Sequence, residues 1–238
     1  GKRDTTFPRS NRSLAKNEST QNTPVLVVGL GRFGLAVAKS LVRLGHDVLG
    51  VDEDIALVQR YASDFTHVVA ADTTDSEALQ QIGAEQFDRA VVGIGTDVEA
   101  SVLTVLSLVE LGVSEVWAKA INAKHARILE RVGATHVVRP ESAMGERVAH
   151  MVTGAMIDYI EFDDGFSIAR TRAPKVAAGR TLAESQLRAA YGVTVVGVKR
   201  RGEDFTYARP ETGIEATDEL IVSGPTRKVE SFCALTNT

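Results

Sequence analysis

Between residues 24 and 140, short apolar, often β-branched runs alternate with amphipathic stretches, and this alternation limits the fold more than any single motif. In order the runs are VLVVGL, residues 33–44, DVLGVD, 55–62, HVVAAD, 76–82, RAVVGIG, 98–111, EVWAKA, 123–132 and THVVRP. Apolar strands with no polar alternation are buried on both faces, and helices between them predict a parallel sheet. Gly45, Gly112 and Gly133 follow predicted helices, where a left-handed residue closes the last turn. Six such strands make a full α/β unit of the doubly wound, Rossmann type.

The pattern changes on both sides of this unit. Residues 141–160 read as one longer amphipathic helix, with Met144, Val148, Met151, Val152, Ala155 and Met156 near helical spacing. Residues 161–238 then predict a small α+β lobe, from strands near 159–162 and 167–172, a helix over 182–190, and the runs VTVVGVKR, DFTYARP and ELIVSG. Residues 1–23 are polar, carry five basic against two acidic residues, and read as a solvated, flexible tail. The net charge of -4 argues against a nucleic-acid partner. One cysteine, Cys233, excludes an internal disulfide, and no apolar run approaches the roughly 18 residues of a membrane span. These features read as a cytoplasmic protein.

The chemistry sits in the glycine turn Gly29-Leu30-Gly31-Arg32-Phe33-Gly34, which follows the first strand and opens the first helix. Gly29 permits the tight turn, Gly31 lets phosphates approach the backbone, and Gly34 lets helix and strand pack closely. The helix start then offers N–H groups and a positive dipole end to a phosphate. Asp52 ends the second strand 23 residues after Gly29. An acid there accepts ribose hydroxyls and repels a 2′-phosphate, which favours NAD(H), ATP or ADP. Asp72 and Thr73 close the third strand, where Thr73 or its backbone reaches an adenine edge, and Asp72 equally suits capping of the next helix. Gly95 and Thr96 end the fourth strand and face the same crevice, with Asp97 as the following cap. Arg32 places a guanidinium beside the phosphates, and Lys119, ending the fifth strand, is a second cation for the crevice.

Catalysis is not evident. A dehydrogenase of this architecture sets an acid–base residue opposite the nicotinamide, and His46, His67, His125, His136 and His150 read as structural or surface groups. The remaining classes are an NAD-dependent oxidoreductase and a soluble nucleotide-binding scaffold; the simpler reading is a sensor.

GLGRFG, Asp52, AADTTD, VVGIGTDVEASVLT, VWAKAINAKHARILERVGATHVVRPESAMGERVA and the trailing lobe together resemble the RCK family, regulators of potassium conductance, and within it the Trk/Ktr-type subunits of potassium uptake. The resemblance covers residues 24 to 232. It implies a nucleotide-binding N-lobe over 24–140, a crossover helix over 141–160 packing on a partner subunit, and a C-lobe over 161–238. It further implies homodimers that assemble into an octameric gating ring at the inner face of the cell membrane, beneath a potassium-conducting membrane subunit. The apolar stretch 98–111 and the Met-rich helix suit such subunit contacts. Glu141 matches a family glutamate that helps hold a cation (Mg2+, Ca2+ or Na+) near the phosphates between two subunits; on its own it reads as a helix-start acid. Some relatives bind cyclic di-AMP in the C-lobe, and Arg180, Arg188 and VTVVGVKR suit a groove there, although the resemblance assigns no residue to it.

Overall fold

The first strand, β1 (Val25–Val28), is buried at all four positions, so the sheet it belongs to needs cover on both faces. In the computed structural model, which describes residues 23–153, 155–162 and 164–237, that sheet is built by a strict alternation. The elements are β1, α1 (Arg32–Arg43), β2 (Val48–Asp52), α2 (Ile55–Tyr61), β3 (His67–Ala70), α3 (Ser76–Gln81), β4 (Arg89–Val92), α4 (Val98–Glu110), β5 (Glu115–Lys119), α5 (Ala123–Arg131) and β6 (His136–Val138). The strands lie in the order β3-β2-β1-β4-β5-β6, and every neighbouring pair is parallel. This is the doubly wound sheet expected from the sequence.

The period of two along each strand divides the core. Val25 and Val27 join Leu30, Ala38, Val48 and Phe65 on one face. Leu26 and Val28 join Leu49, Val51, Ala90, Val92, Val105 and Leu108 on the other. Strand order reverses between β1 and β4, which opens a crevice at their carboxyl ends. Four helices between the strands of this sheet start on side-chain caps: Asp54 accepts from Ala56 N–H, Asp75 from Glu77, Asp97 from Ala100 and Asn122 from His125.

The chain divides into two units, one ending at Pro140 and the other starting at Glu141. The second contains α6 (Pro140–Val152, begun by the last residue of the first), β7 (Asp158–Phe162), β8 (Phe166–Arg172), β9 (Arg180–Thr181), α7 (Leu182–Ser185), α8 (Leu187–Tyr191), β10 (Thr194–Lys199), β11 (Phe205–Tyr207), β12 (Gly213–Ile214), β13 (Glu219–Pro225) and α9 (Thr226–Ala234). Five of its strands form an antiparallel sheet, β11-β10-β13-β8-β7. Ala169, Leu220 and Val222 from that sheet and Val229, Phe232 and Cys233 from α9 belong to one core.

The structure corrects two expectations and adds one pairing. The helix expected over residues 141–160 ends at Val152, where the Thr153 hydroxyl takes the His150 carbonyl at 2.7 Å and the chain turns towards β7. The helix expected over 182–190 is two short helices, broken at Gln186, whose φ of 46° lies in the left-handed region. The two-residue strands β9 and β12 pair with each other and were not anticipated. The expected tail, residues 1–23, lies outside the described residues except for Thr23, whose carbonyl accepts from His46 Nδ1 at 3.3 Å.

Candidate nucleotide site

The turn after β1 is shaped by three glycines in mutual contact. Gly29 has φ of 86°, which only glycine adopts without strain. A Cβ on Gly34 would lie 1.7 Å from the Gly29 carbonyl oxygen, and one on Gly93, after β4, would lie 3.1 Å from Gly34 Cα. Gly31 differs: it is exposed, and a Cβ there would meet no described atom within 4 Å. Gly29 and Gly34 thus serve the backbone, while Gly31 leaves space for a ligand. Gly93 is no part of the expected site; its signal in the sequence is the glycine directly after the strand end in RAVVGIG.

Gly31 is also the N-cap of α1 and supplies no side-chain hydrogen bond, and the first turn holds no acid. The amides of a first helical turn have no intrahelical acceptor, so this end of α1 presents N–H groups and positive dipole to the crevice. Arg32 is the first residue of the helix and is exposed. Phe33 follows, half-buried.

Asp52 stands at the end of β2, next to this turn. Its Oδ2 accepts the Leu30 N–H at 2.7 Å and its Oδ1 accepts the Asp54 N–H at 2.9 Å. Each carboxylate oxygen carries a second lone pair, so both retain acceptor capacity for a ribose hydroxyl.

The other strand ends divide. Asp72 is exposed and accepts from the Thr74 N–H at 3.0 Å and the Thr74 hydroxyl at 2.6 Å, which hold its carboxyl below the usual range. It does not cap α3; Asp75 does. Thr73 is buried, and its hydroxyl meets that of Thr104 at 2.9 Å, which leaves its backbone as the group suited to a base. Gly95 is half-buried and Thr96 exposed, and Asp97 is the cap of α4 as read from the sequence. The Lys119 side chain lies over Gly95, its Nζ 3.1 Å from where a Gly95 Cβ would stand and 5.9 Å from the Phe33 ring centroid. The ends of β1, β4 and β5 are therefore joined by Phe33, Gly95 and Lys119.

Glu141 lies in the first turn of α6, exposed. Among the described residues no three His, Cys, Asp or Glu side chains cluster as a metal site. Of the two arginines expected to suit a C-lobe groove, Arg188 donates twice to the Thr194 hydroxyl, at 3.1 and 2.9 Å, while Arg180 is on β9. A separate apolar groove of about 410 Å3 lies on the α1 side of the sheet, between Val37 and Leu41 of that helix and Val91, Trp117 and Val138 of β4, β5 and β6. Phe33 is the one predicted site residue among its walls.

Comparison with known proteins bears on both units. The TrkA-N domain family matches residues 25–140, and the TrkA-C domain family matches residues 168–237. Ktr system potassium uptake protein A of Bacillus subtilis (strain 168) is 35% identical over 213 residues, 89% of this chain and 96% of that protein. Ktr system potassium uptake protein C of the same organism is 38% identical over 207 residues, 87% and 94% of the two chains. Among solved structures, the RCK domain of GsuK superposes with a TM-score of 0.64 at 18% identity, covering 97% of this chain and 50% of that one. The GsuK channel bound to NAD gives a TM-score of 0.60 at 18% identity, covering 92% and 40%. At that identity the likeness is one of fold, and the chain spans half or less of those solved chains.

Proposed function

The chain belongs to the family that joins a TrkA-N domain to a TrkA-C domain, and on that premise we propose that it is the nucleotide-sensing regulatory subunit of a potassium uptake system. In this reading it catalyses nothing. It binds ATP, ADP or NAD(H) in the TrkA-N unit, and the difference in affinity between two assembly shapes shifts the opening of a potassium-conducting membrane subunit. The relatives named as potassium uptake proteins support the physiological role.

The observation that carries the nucleotide reading is the pairing of an uncapped α1 start with Asp52 at the adjoining strand end. The first suits phosphate and the second suits ribose, at the switch point of the sheet. The histidines support a sensor over an oxidoreductase. His125 is buried between Ser101 and the backbone of Ile121, His136 stacks on Trp117 at 4.0 Å, and His150 lies against Tyr159 at 4.0 Å.

Among the described residues no helix is long and apolar enough to cross a membrane, and the proposed place of work is the cytoplasmic face, under a Trk/Ktr-type membrane subunit. The proposed assembly is a homodimer that builds an octameric ring. A divalent or sodium cation belongs to the proposal: Glu141 would supply one hard oxygen ligand and the phosphates the others.

Mass spectrometry of small molecules released from the purified protein tests the nucleotide reading, followed by calorimetry with ATP, ADP and NAD. Release of an adenine nucleotide and its saturable rebinding are expected. Protein that carries none and binds none of the three would overturn it.

A further inference from the structure

A polar seam runs under α4. Ser101 and Thr104 are fully buried on this helix, and buried hydroxyls persist where they are paired. Thr104 meets Thr73, which ties α4 to the chain after β3. One turn earlier, Ser101 Oγ meets His125 Nε2 at 3.1 Å. His125 is 2% exposed, and its Nδ1 lies 3.3 Å from the Ile121 nitrogen, two residues past Lys119.

These contacts assign the tautomer. The Ile121 N–H can only donate, so Nδ1 accepts and the ring proton sits on Nε2, where it is donated to Ser101. Burial holds the ring's pKa below its ordinary value and keeps the neutral form at neutral pH. A second proton would enter at Nδ1, facing an N–H donor, and the bond to the loop would be lost. The groups facing the ring are the Ser101 hydroxyl of α4 and the Ile121 backbone. The charged residues of the elements that carry these groups are Asp97, the cap of α4, with Glu99 and Glu110 on it, Glu115 and Lys119 on β5, and Lys124, Arg127, Glu130 and Arg131 on α5.

We propose that His125 is a positioning residue of the nucleotide site: its Nδ1 holds the loop after β5 so that Lys119 lies across the strand ends, against Gly95 and Phe33, where it meets an anionic ligand. The inference rests on the nucleotide reading above. It gives His125 a task that packing alone would not, because one ring nitrogen matters for the ligand and the other for α4.

Two amides separate those tasks. In His125→Asn, the side-chain oxygen reaches the place of Nδ1 and accepts from Ile121, while the bond to Ser101 is lost. In His125→Gln, the amide nitrogen reaches the place of Nε2 and keeps Ser101, while the loop is released. NAD is the probe, because its phosphates keep their charge across mildly acidic pH, whereas the terminal phosphates of ATP and ADP titrate near pH 6.

By calorimetry, His125→Asn should bind NAD within about threefold of the parent, and His125→Gln about tenfold more weakly. The parent's affinity should fall only as the pH drops below about 6.5, because burial lowers the ring's pKa from its ordinary value, and that of His125→Asn should stay level. Amide exchange at Ile121 in the ligand-free protein should quicken in His125→Gln, which reports the loop even where binding is weak. Equal losses in the two variants, or coincident pH profiles of parent and His125→Asn, would overturn the proposal and leave a packing role. A parent that binds no nucleotide at neutral pH would instead overturn the site itself, and this inference with it.

Discussion

The Asp52 carboxylate accepts the Leu30 amide at 2.7 Å, across 22 residues of chain, and ties the end of β2 to the glycine turn. In the proposed site a single side chain would therefore serve the ribose and hold the glycine turn. Asp52→Ala should weaken ATP, ADP and NAD together, by about 1.5–3 kcal/mol, or roughly tenfold to a hundredfold. Calorimetry reads it, and unchanged affinity for all three ligands would remove Asp52 from the site.

The glycines of the turn should separate folding from binding. Gly34→Ala drives a methyl group to 1.7 Å from a backbone oxygen, so it should lower stability by about 3 kcal/mol or more. Gly31→Ala meets no described atom and has extended backbone, so its unfolding free energy should stay within about 0.5 kcal/mol of the parent. Its nucleotide affinity should nevertheless drop by about tenfold, because the methyl group occupies the phosphate's approach. Denaturant titration beside calorimetry distinguishes the two; equal effects on stability would contradict the division of roles.

Arg32 is the side chain suited to counting phosphates. The backbone amides of the turn treat ATP and ADP much alike, and a ligand of equal affinity for both states shifts nothing. Arg32→Ala should keep ADP binding within about threefold while the difference between ATP and ADP in particle shape and potassium flux disappears. Small-angle scattering and reconstituted transport measure it. A variant that still separates the two nucleotides would leave Arg32 as an exposed helix-start residue only.

For Glu141, the expected signature is a lost dependence on cation. Mg2+ or Ca2+ should strengthen the response to ATP in the parent, by offsetting repulsion between carboxylate and phosphate. Glu141→Gln should abolish that gain and leave ADP affinity nearly unchanged. Equal cation sensitivity in both proteins would exclude the residue.

Met144, Val148 and Val152 recur every four residues along α6 and are 52%, 42% and 78% exposed. Such a row seeks apolar cover. Light scattering at micromolar concentration should find a dimer or larger, with nucleotide altering its size or shape, and Val148→Asp should shift the distribution towards monomer. A parent that is monomeric with and without nucleotide would refute the assembly.

The sheet and the glycine turn were legible because their signals are local: apolar runs of strand length, glycine at fixed offsets, and an acid at a strand end. Breaks set by side chains were less so. The Thr153 hydroxyl bonds the His150 carbonyl just past the end of α6, and Gln186 divides α7 from α8 by taking a left-handed conformation that side chains rarely adopt. The hydroxyl of Thr73 could not be assigned from sequence, since its partner Thr104 lies 31 residues away on a helix that reads only as apolar. A separation of 24 residues likewise hid the pairing of Ser101 with His125.

Gly29, Gly34 and Gly93 meet backbone to backbone. A contact without side chains has no rotamers through which to relax. In the proposed site, a phosphate pressing on this turn would find little local give, and its push would pass to α1 and the carboxyl end of β4 together. The proposed ligand site would thus act as a stiff bearing, and compliance would be left to the loops after β3 and β5, whose side-chain ties to the rest include a pair of hydroxyls and one imidazole.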